Sequence, residues 1–154
     1  VKNRRGLFSA LKVIALMLSI LFITGINGCD CSKPFIEKIE VWIDENTSDG
    51  IPYEEQIIPI GLTYKIPQNT NFRIKIKTQE PLSDSELANS VVQITPVVQI
   101  TPSISINIEL LEDSIYKADY DNLTGTLGVG TYNVTIVVNH NGKLFTQSII
   151  IQIE

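Results

Sequence analysis

Few side chains in this 154-residue chain are of a type that performs chemistry. Its two thiols, Cys29 and Cys31, stand one residue apart. A disulfide between them would close a very small, strained ring, and two cysteines fall short of the roughly four ligands a zinc site takes. Histidine occurs once, at His140, inside Asn139-His140-Asn141-Gly142. Asn-Gly between apolar runs marks a tight β-hairpin turn, so His140 is expected at a hairpin tip, in water. There is no Gly-x-Ser-x-Gly, no phosphate-binding glycine loop and no His-Glu-x-x-His. Carboxylates gather at Asp44, Glu45 and Asp49, at Glu112 and Asp113, and at Asp119 and Asp121. Loop oxygens of this kind can bind Ca²⁺, but none of these groups has the spacing of a defined calcium loop. The expectation is ordinary acidic loops, with no catalytic residue, no metal site and no cofactor. A metal-dependent enzyme or enzyme accessory domain using those loops is the alternative; divalent ions would then raise its melting temperature.

Cys29 has a more specific context. Residues 1–28 contain Lys2, Arg4, Arg5 and Lys12 and no acid. An uncharged apolar run, Val13 to Ile23, follows. It has the length of a signal-peptide core and is short for a membrane span, and the positive flank is expected to remain cytoplasmic. Ile26-Asn27-Gly28-Cys29 comes next. This arrangement resembles a bacterial lipoprotein signal, in which an aliphatic residue and a small residue stand at −3 and −1 before the cysteine. Ile26, Gly28 and Cys29 match, while Asn27 at −2 is less usual. The resemblance implies a mature chain that begins at Cys29 and carries a diacylglycerol on sulfur and usually an acyl chain on nitrogen, enough for stable anchoring. An ordinary cleaved signal with Cys29 incidental, or an uncleaved N-terminal anchor, would also export residues 29–154. The division expected is a signal peptide over 1–28, a tether over 29–34 and a folded domain over 35–154, membrane-anchored on the outer side of the cytoplasmic membrane or at the cell surface.

The elements that would follow the tether are β-strands. Ile39, Val41 and Ile43 alternate with Lys38, Glu40 and Trp42. Pro59 confines Ile57-Ile58-Pro59-Ile60 to an edge or a bulge. Leu62, Tyr64 and Ile66 alternate, and Phe72-Arg73-Ile74-Lys75-Ile76-Lys77 is the cleanest strand. Its row Arg73, Lys75, Lys77 could bind an anion, but the simpler expectation is a solvated face that discourages edge pairing. Ser83-Asp84-Ser85-Glu86 has the capping-box pattern and predicts one helical turn reaching Asn89, within a crossover between sheets. Val91-Val-Gln-Ile-Thr-Pro96 is repeated residue for residue as Val97-Val-Gln-Ile-Thr-Pro102, which reads as an insertion lengthening a strand or loop rather than a repeat architecture. Ile104, Ile106, Ile108 and Leu110 alternate, as do Tyr116, Ala118 and Tyr120, then Tyr132, Val134, Ile136 and Val138. Phe145, Ile149, Ile151 and Ile153 make the final strand.

Seven or more short alternating strands separated by turn clusters predict an all-β chain folded as one antiparallel sandwich. Leu127-Gly-Val-Gly130-Thr-Tyr132 resembles the tyrosine corner of Ig-like folds, whose phenol bonds back to nearby backbone. Over residues 50–154 the chain is similar to bacterial Ig-like domains of cell-envelope proteins. The matching pieces are Ile66-Pro-Gln-Asn-Thr70 before Phe72-Arg-Ile-Lys-Ile76, Glu80-Pro-Leu82, and Gly130-Thr-Tyr-Asn-Val-Thr-Ile136. The resemblance implies a spacer, stalk or binding module and brings no catalytic residues.

Charge narrows the partners. Residues 29–154 hold eight basic residues against all 17 acidic ones, a net charge of −9. Nucleic acid is therefore not an expected partner, since neutralising phosphates takes a basic face. The expected partners are the membrane, through lipid on Cys29, and another envelope protein or a surface glycan, met through edge strands or end turns.

Overall fold

In the computed structural model, residues 33–44, 53–98, 103–122 and 127–154 are described. Cys29, Cys31, the Val13–Ile23 run, Glu45 and Asp49 lie outside them. No helix among the described residues is long and apolar enough to cross a membrane.

Period-two alternation resolves into β1 (Ile36–Asp44), β2 (Glu55–Ile57), β3 (Thr63–Ile66), β4 (Asn71–Thr78), β5 (Val91–Pro96), β6 (Ile104–Asn107), β7 (Glu109–Glu112), β8 (Ile115–Tyr120), β9 (Gly130–His140) and β10 (Lys143–Ile153), with one short helix, α1 (Asp84–Ala88). They form two five-stranded sheets, β2-β1-β4-β8-β7 and β3-β10-β9-β5-β6. The pairings are antiparallel except β3 with β10, which is parallel. The sheets pack as a sandwich because each strand contributes one apolar row to the space between them. Phe72, Ile74 and Ile76 of β4 face Val134, Ile136 and Ile151 of the other sheet's strands in one buried cluster, and all six are fully buried. Burying side chains of this size stabilises by about 1.5–3 kcal/mol each.

Local signals place the connections as expected. Asn141 and Gly142 both have positive φ, 51° and 73°, the two-residue hairpin geometry that Asn-Gly favours. α1 starts after Ser83, ends at Asn89 and bridges β4 to β5, one strand in each sheet. Pro59 follows β2, a three-residue edge strand. The Tyr132 hydroxyl donates to the Gly128 carbonyl at 2.8 Å, pinning the start of β9 to the turn before it.

Three expectations are corrected. Ile104 to Leu110 is not one strand: β6 and β7 lie in different sheets, and the buried Ile108 marks the crossing. Alternation survives a change of sheet, so periodicity could not reveal the break. Leu110 is left 59 % exposed at an edge and Leu62 72 % exposed in a turn. The row Arg73, Lys75, Lys77 guards no edge, because β4 is a central strand between β1 and β8. The duplicated hexapeptide is in keeping with an insertion that lengthens a loop: the first copy is β5, whereas Val97 and Val98 of the second lie beyond the strand and are exposed.

Candidate functional site

The outer face of the β2-β1-β4-β8-β7 sheet gathers most of the basic side chains of residues 29–154. Alternation points Lys38, Glu40 and Trp42 outward from β1, Arg73, Lys75 and Lys77 from β4, and Ile115, Lys117 and Asp119 from β8. Five of the eight basic residues of 29–154 therefore share this face of an acidic domain.

Register sets their neighbours. Lys38 stands opposite Lys77, and Lys75 opposite Lys117, two like-charge cross-strand pairs. Such pairs destabilise a sheet unless anions intervene. Glu40 lies among them, paired with Lys38 and 4.0 Å from the Lys75 ammonium, and accepts from Trp42 Nε1 at 3.2 Å. The hydrogen bond from Lys38 holds Glu40 below the ordinary carboxylate value, against the upward push of burial. Lys77 reaches Glu37 at 3.3 Å and Lys117 reaches Glu109 at 3.3 Å. The Lys75 ammonium also sits 5.1 Å from the Trp42 ring centroid, within cation–π range.

Arg73 and Asp119 form the firmest pair. Nε and Nη2 of Arg73 donate to the two carboxylate oxygens at 2.6 and 2.8 Å, the fork geometry in which guanidinium and carboxylate bind best. Burial pushes Asp119 up, but hydrogen bonds from Arg73 and Lys117 hold it below its ordinary value. The guanidinium carbon lies 4.2 Å from the Tyr53 ring centroid. Burial, with the Asp119 charge adding to it, raises the Tyr53 phenol to about 12.

Depressions on this face are formed among the described residues. A groove of about 230 Å³ is lined by Lys38, Glu40, Lys75, Lys77 and Ile115. A smaller one of about 100 Å³ is lined by Trp42, Tyr53, Arg73, Lys75 and Leu111. Both are smaller than sites that enclose a whole small-molecule ligand, about 300–1,000 Å³. They suit single projecting groups of a larger partner.

His140 lies elsewhere, and its environment corrects the expectation of a solvated tip. Its side chain is only 13 % exposed. The ring stacks on Phe35 with centroids 4.5 Å apart, and Phe35 stacks on Phe145 at the same distance. Nε2 is 3.2 Å from a Glu80 oxygen; Nδ1 is also 3.2 Å from Glu86 but without hydrogen-bond geometry. Glu86 accepts from the Asn141 backbone N–H at 2.6 Å and from the Ser83 N–H and hydroxyl at 2.8 Å each. These bonds, the Asn141 amide first, hold Glu86 at about 2. The arrangement fastens α1 and the β9–β10 hairpin to the start of β1. The sequence signalled the hairpin but not the aromatic surface beneath its histidine, which depends on Phe35 and Phe145 meeting from opposite ends of the chain.

Of the carboxylates singled out in the sequence, Asp119 is taken up by Arg73 and Lys117, and no group of three or more His, Cys, Asp or Glu that could hold a metal occurs among the described residues. Cys29 lies outside those residues. Neither the protein-family models nor the curated proteins include a match to this sequence.

Proposed function

We propose that this chain is an exported, non-catalytic binding module, held at a membrane surface by lipid on Cys29, whose domain over 35–154 is Ig-like and grips carboxylate groups of a surface glycan through the outer face of β1, β4 and β8. The observation that carries the binding reading is the groove among Lys38, Lys75 and Lys77. Two like-charge pairs meet around it with Glu40 as the acidic residue in its lining, and an incoming carboxylate would share these ammoniums with Glu37, Glu40 and Glu109, which already pair with them. Trp42 and Tyr53 line the neighbouring depression, where a sugar ring would sit.

The Ig-like reading draws support from strand order. With β1, β4, β8 and β7 read as strands A, B, E and D, and β10, β9 and β5 as G, F and C, the strand order agrees with an Ig-like reading in which β6 would stand for C′. The Tyr132 bond to Gly128, four residues upstream at the start of β9, fits the tyrosine corner.

Retention on immobilised polygalacturonate tests the binding. The wild-type protein is expected to bind in a salt-sensitive way and to ignore neutral dextran, and Lys75→Glu with Lys77→Glu should abolish retention. Equal retention on dextran, or none on either, rejects the glycan reading; a protein captured through the same lysines would redirect it to an envelope protein. For the anchor, a fatty-acid probe should label the wild type but not Cys29→Ala, and absence of label from both rejects lipidation.

A further inference from the structure

The sheet β3-β10-β9-β5-β6 has an edge that is only half covered. β10 pairs with β9 along all of Lys143–Ile153, but β3 covers its other side only over Ile150–Ile153. Lys143 to Ile149 therefore has no strand on that side among the described residues. The Ile150 N–H donates to the Leu62 carbonyl and the Glu154 N–H to that of Ile66, both at 3.1 Å. Even-numbered residues thus direct their backbone groups toward this side, and the alternation continues to Ser148, Thr146 and Leu144.

Exposed edges are usually guarded by charge, proline, bulges or brevity. The other edges here are. β2 is three residues long, carries Glu55 and is followed by Pro59. β7 has a bulge and carries Glu109 and Glu112. β6 has four residues, and so does β3, with Lys65 within it and Pro67 after it. Apart from Lys143 at its hairpin end, the open part of β10, Leu144-Phe-Thr-Gln-Ser-Ile149, has no charge, no proline and no register shift.

We propose that this edge pairs with the same edge of a second copy of the chain, antiparallel about a two-fold axis at Thr146, joining two five-stranded sheets into one of ten strands. Self-pairing suits the segment. It is uncharged, so a copy brings no like charges together across the seam, although the domain as a whole is strongly acidic. Centred on Thr146, Leu144 stands opposite Ser148 of the second copy and Thr146 opposite its equivalent. The three residues whose backbone groups face the edge then all lie in hydrogen-bonded pairs, and the contact is isologous and closed. The end of each hairpin also comes against the turn Ile60–Thr63 of the other copy. Leu144, Ile60 and Leu62 are 67 %, 71 % and 72 % exposed in the single chain, and this contact gives them apolar neighbours. The charged face of the other sheet stays open in the pair.

Cross-linking the full chain in the cells that make it tests the proposal. Hydrogen-bonded antiparallel partners have Cα atoms about 5.5 Å apart, within disulfide reach. Thr146→Cys should give an oxidant-dependent dimer on a non-reducing gel, many-fold above Gln93→Cys, a control on β5 away from the edge. Adding Ser148→Lys to Thr146→Cys should lower the yield several-fold by placing an ammonium on the seam. The same yield from Gln93→Cys, or an adduct whose mass is not twice that of the chain, overturns self-pairing; the second result would mean that a foreign strand occupies the edge.

Discussion

The two sheets share one core and differ in what they show to solvent. Outside β1, β4 and β8 stand lysines, an arginine, acids, Trp42 and Tyr53, tied by ion pairs and cation–π contacts. Outside β9, β10 and β5 stand Thr131, Asn133, Thr135, Thr146, Ser148, Gln93 and Thr95, uncharged and mostly exposed. The inner rows are interchangeable in kind, since apolar burial is non-directional. The outer rows are not. Charged side chains on one face repel or attract by register, which is why the proposed binding is placed on that face. The neutral face lacks such charges, and its consequence is at its margin, where an uncharged strand meets no deterrent to pairing.

Substitutions can break this contrast at several depths. The largest effects should be the same on both sides of the core: Ile74→Ala and Ile136→Ala, one from each sheet and both fully buried, should each lower unfolding free energy by about 2–5 kcal/mol in urea titrations. A large asymmetry would mean that one sheet folds without the other. On the outer faces the asymmetry should appear. Arg73→Ala breaks a forked, half-buried pair and should cost about 1–2 kcal/mol after allowance for solvent screening. Thr135→Ala, losing only a 3.3 Å contact with Ser148, should stay within about 0.5 kcal/mol. Between these lies Tyr132→Phe, which removes the bond to Gly128 and should cost about 1 kcal/mol.

The smallest effect is visible only in acid. Glu86 is held at about 2, from an ordinary 4.5, by the Asn141 and Ser83 donors. A depressed carboxylate stabilises the fold above its unfolded value and loses that contribution as pH falls toward the folded one. Wild-type melting temperature should therefore decline between about pH 4.5 and 2, and Glu86→Gln should flatten that part of the profile. An unchanged slope would show that Glu86 does not fasten the hairpin.

Much of the fold was legible along the chain because its signals are local. Phe72, Ile74 and Ile76 alternate with cations, Asn141-Gly142 demands a hairpin, and Ser83 with Glu86 announces a helical turn. The break at Ile108 was not legible, since a strand that changes sheets keeps its period. The candidate site was half legible. The row Arg73, Lys75, Lys77 stands in the sequence, but its meaning turned on β4 being central, which brought Lys38 and Lys117 to its sides.

The sequence by itself determined the basic apolar start, the acidic β-rich remainder, the turns and which side of each strand is apolar. Those properties depend on residues a few positions apart. Tertiary structure alone decided that Arg73 meets Asp119, that Phe35 carries the ring of His140, and that half of β10 is left uncovered among the described residues. Each of these joins residues distant in sequence, whose meeting depends on strand order and register rather than on local preference.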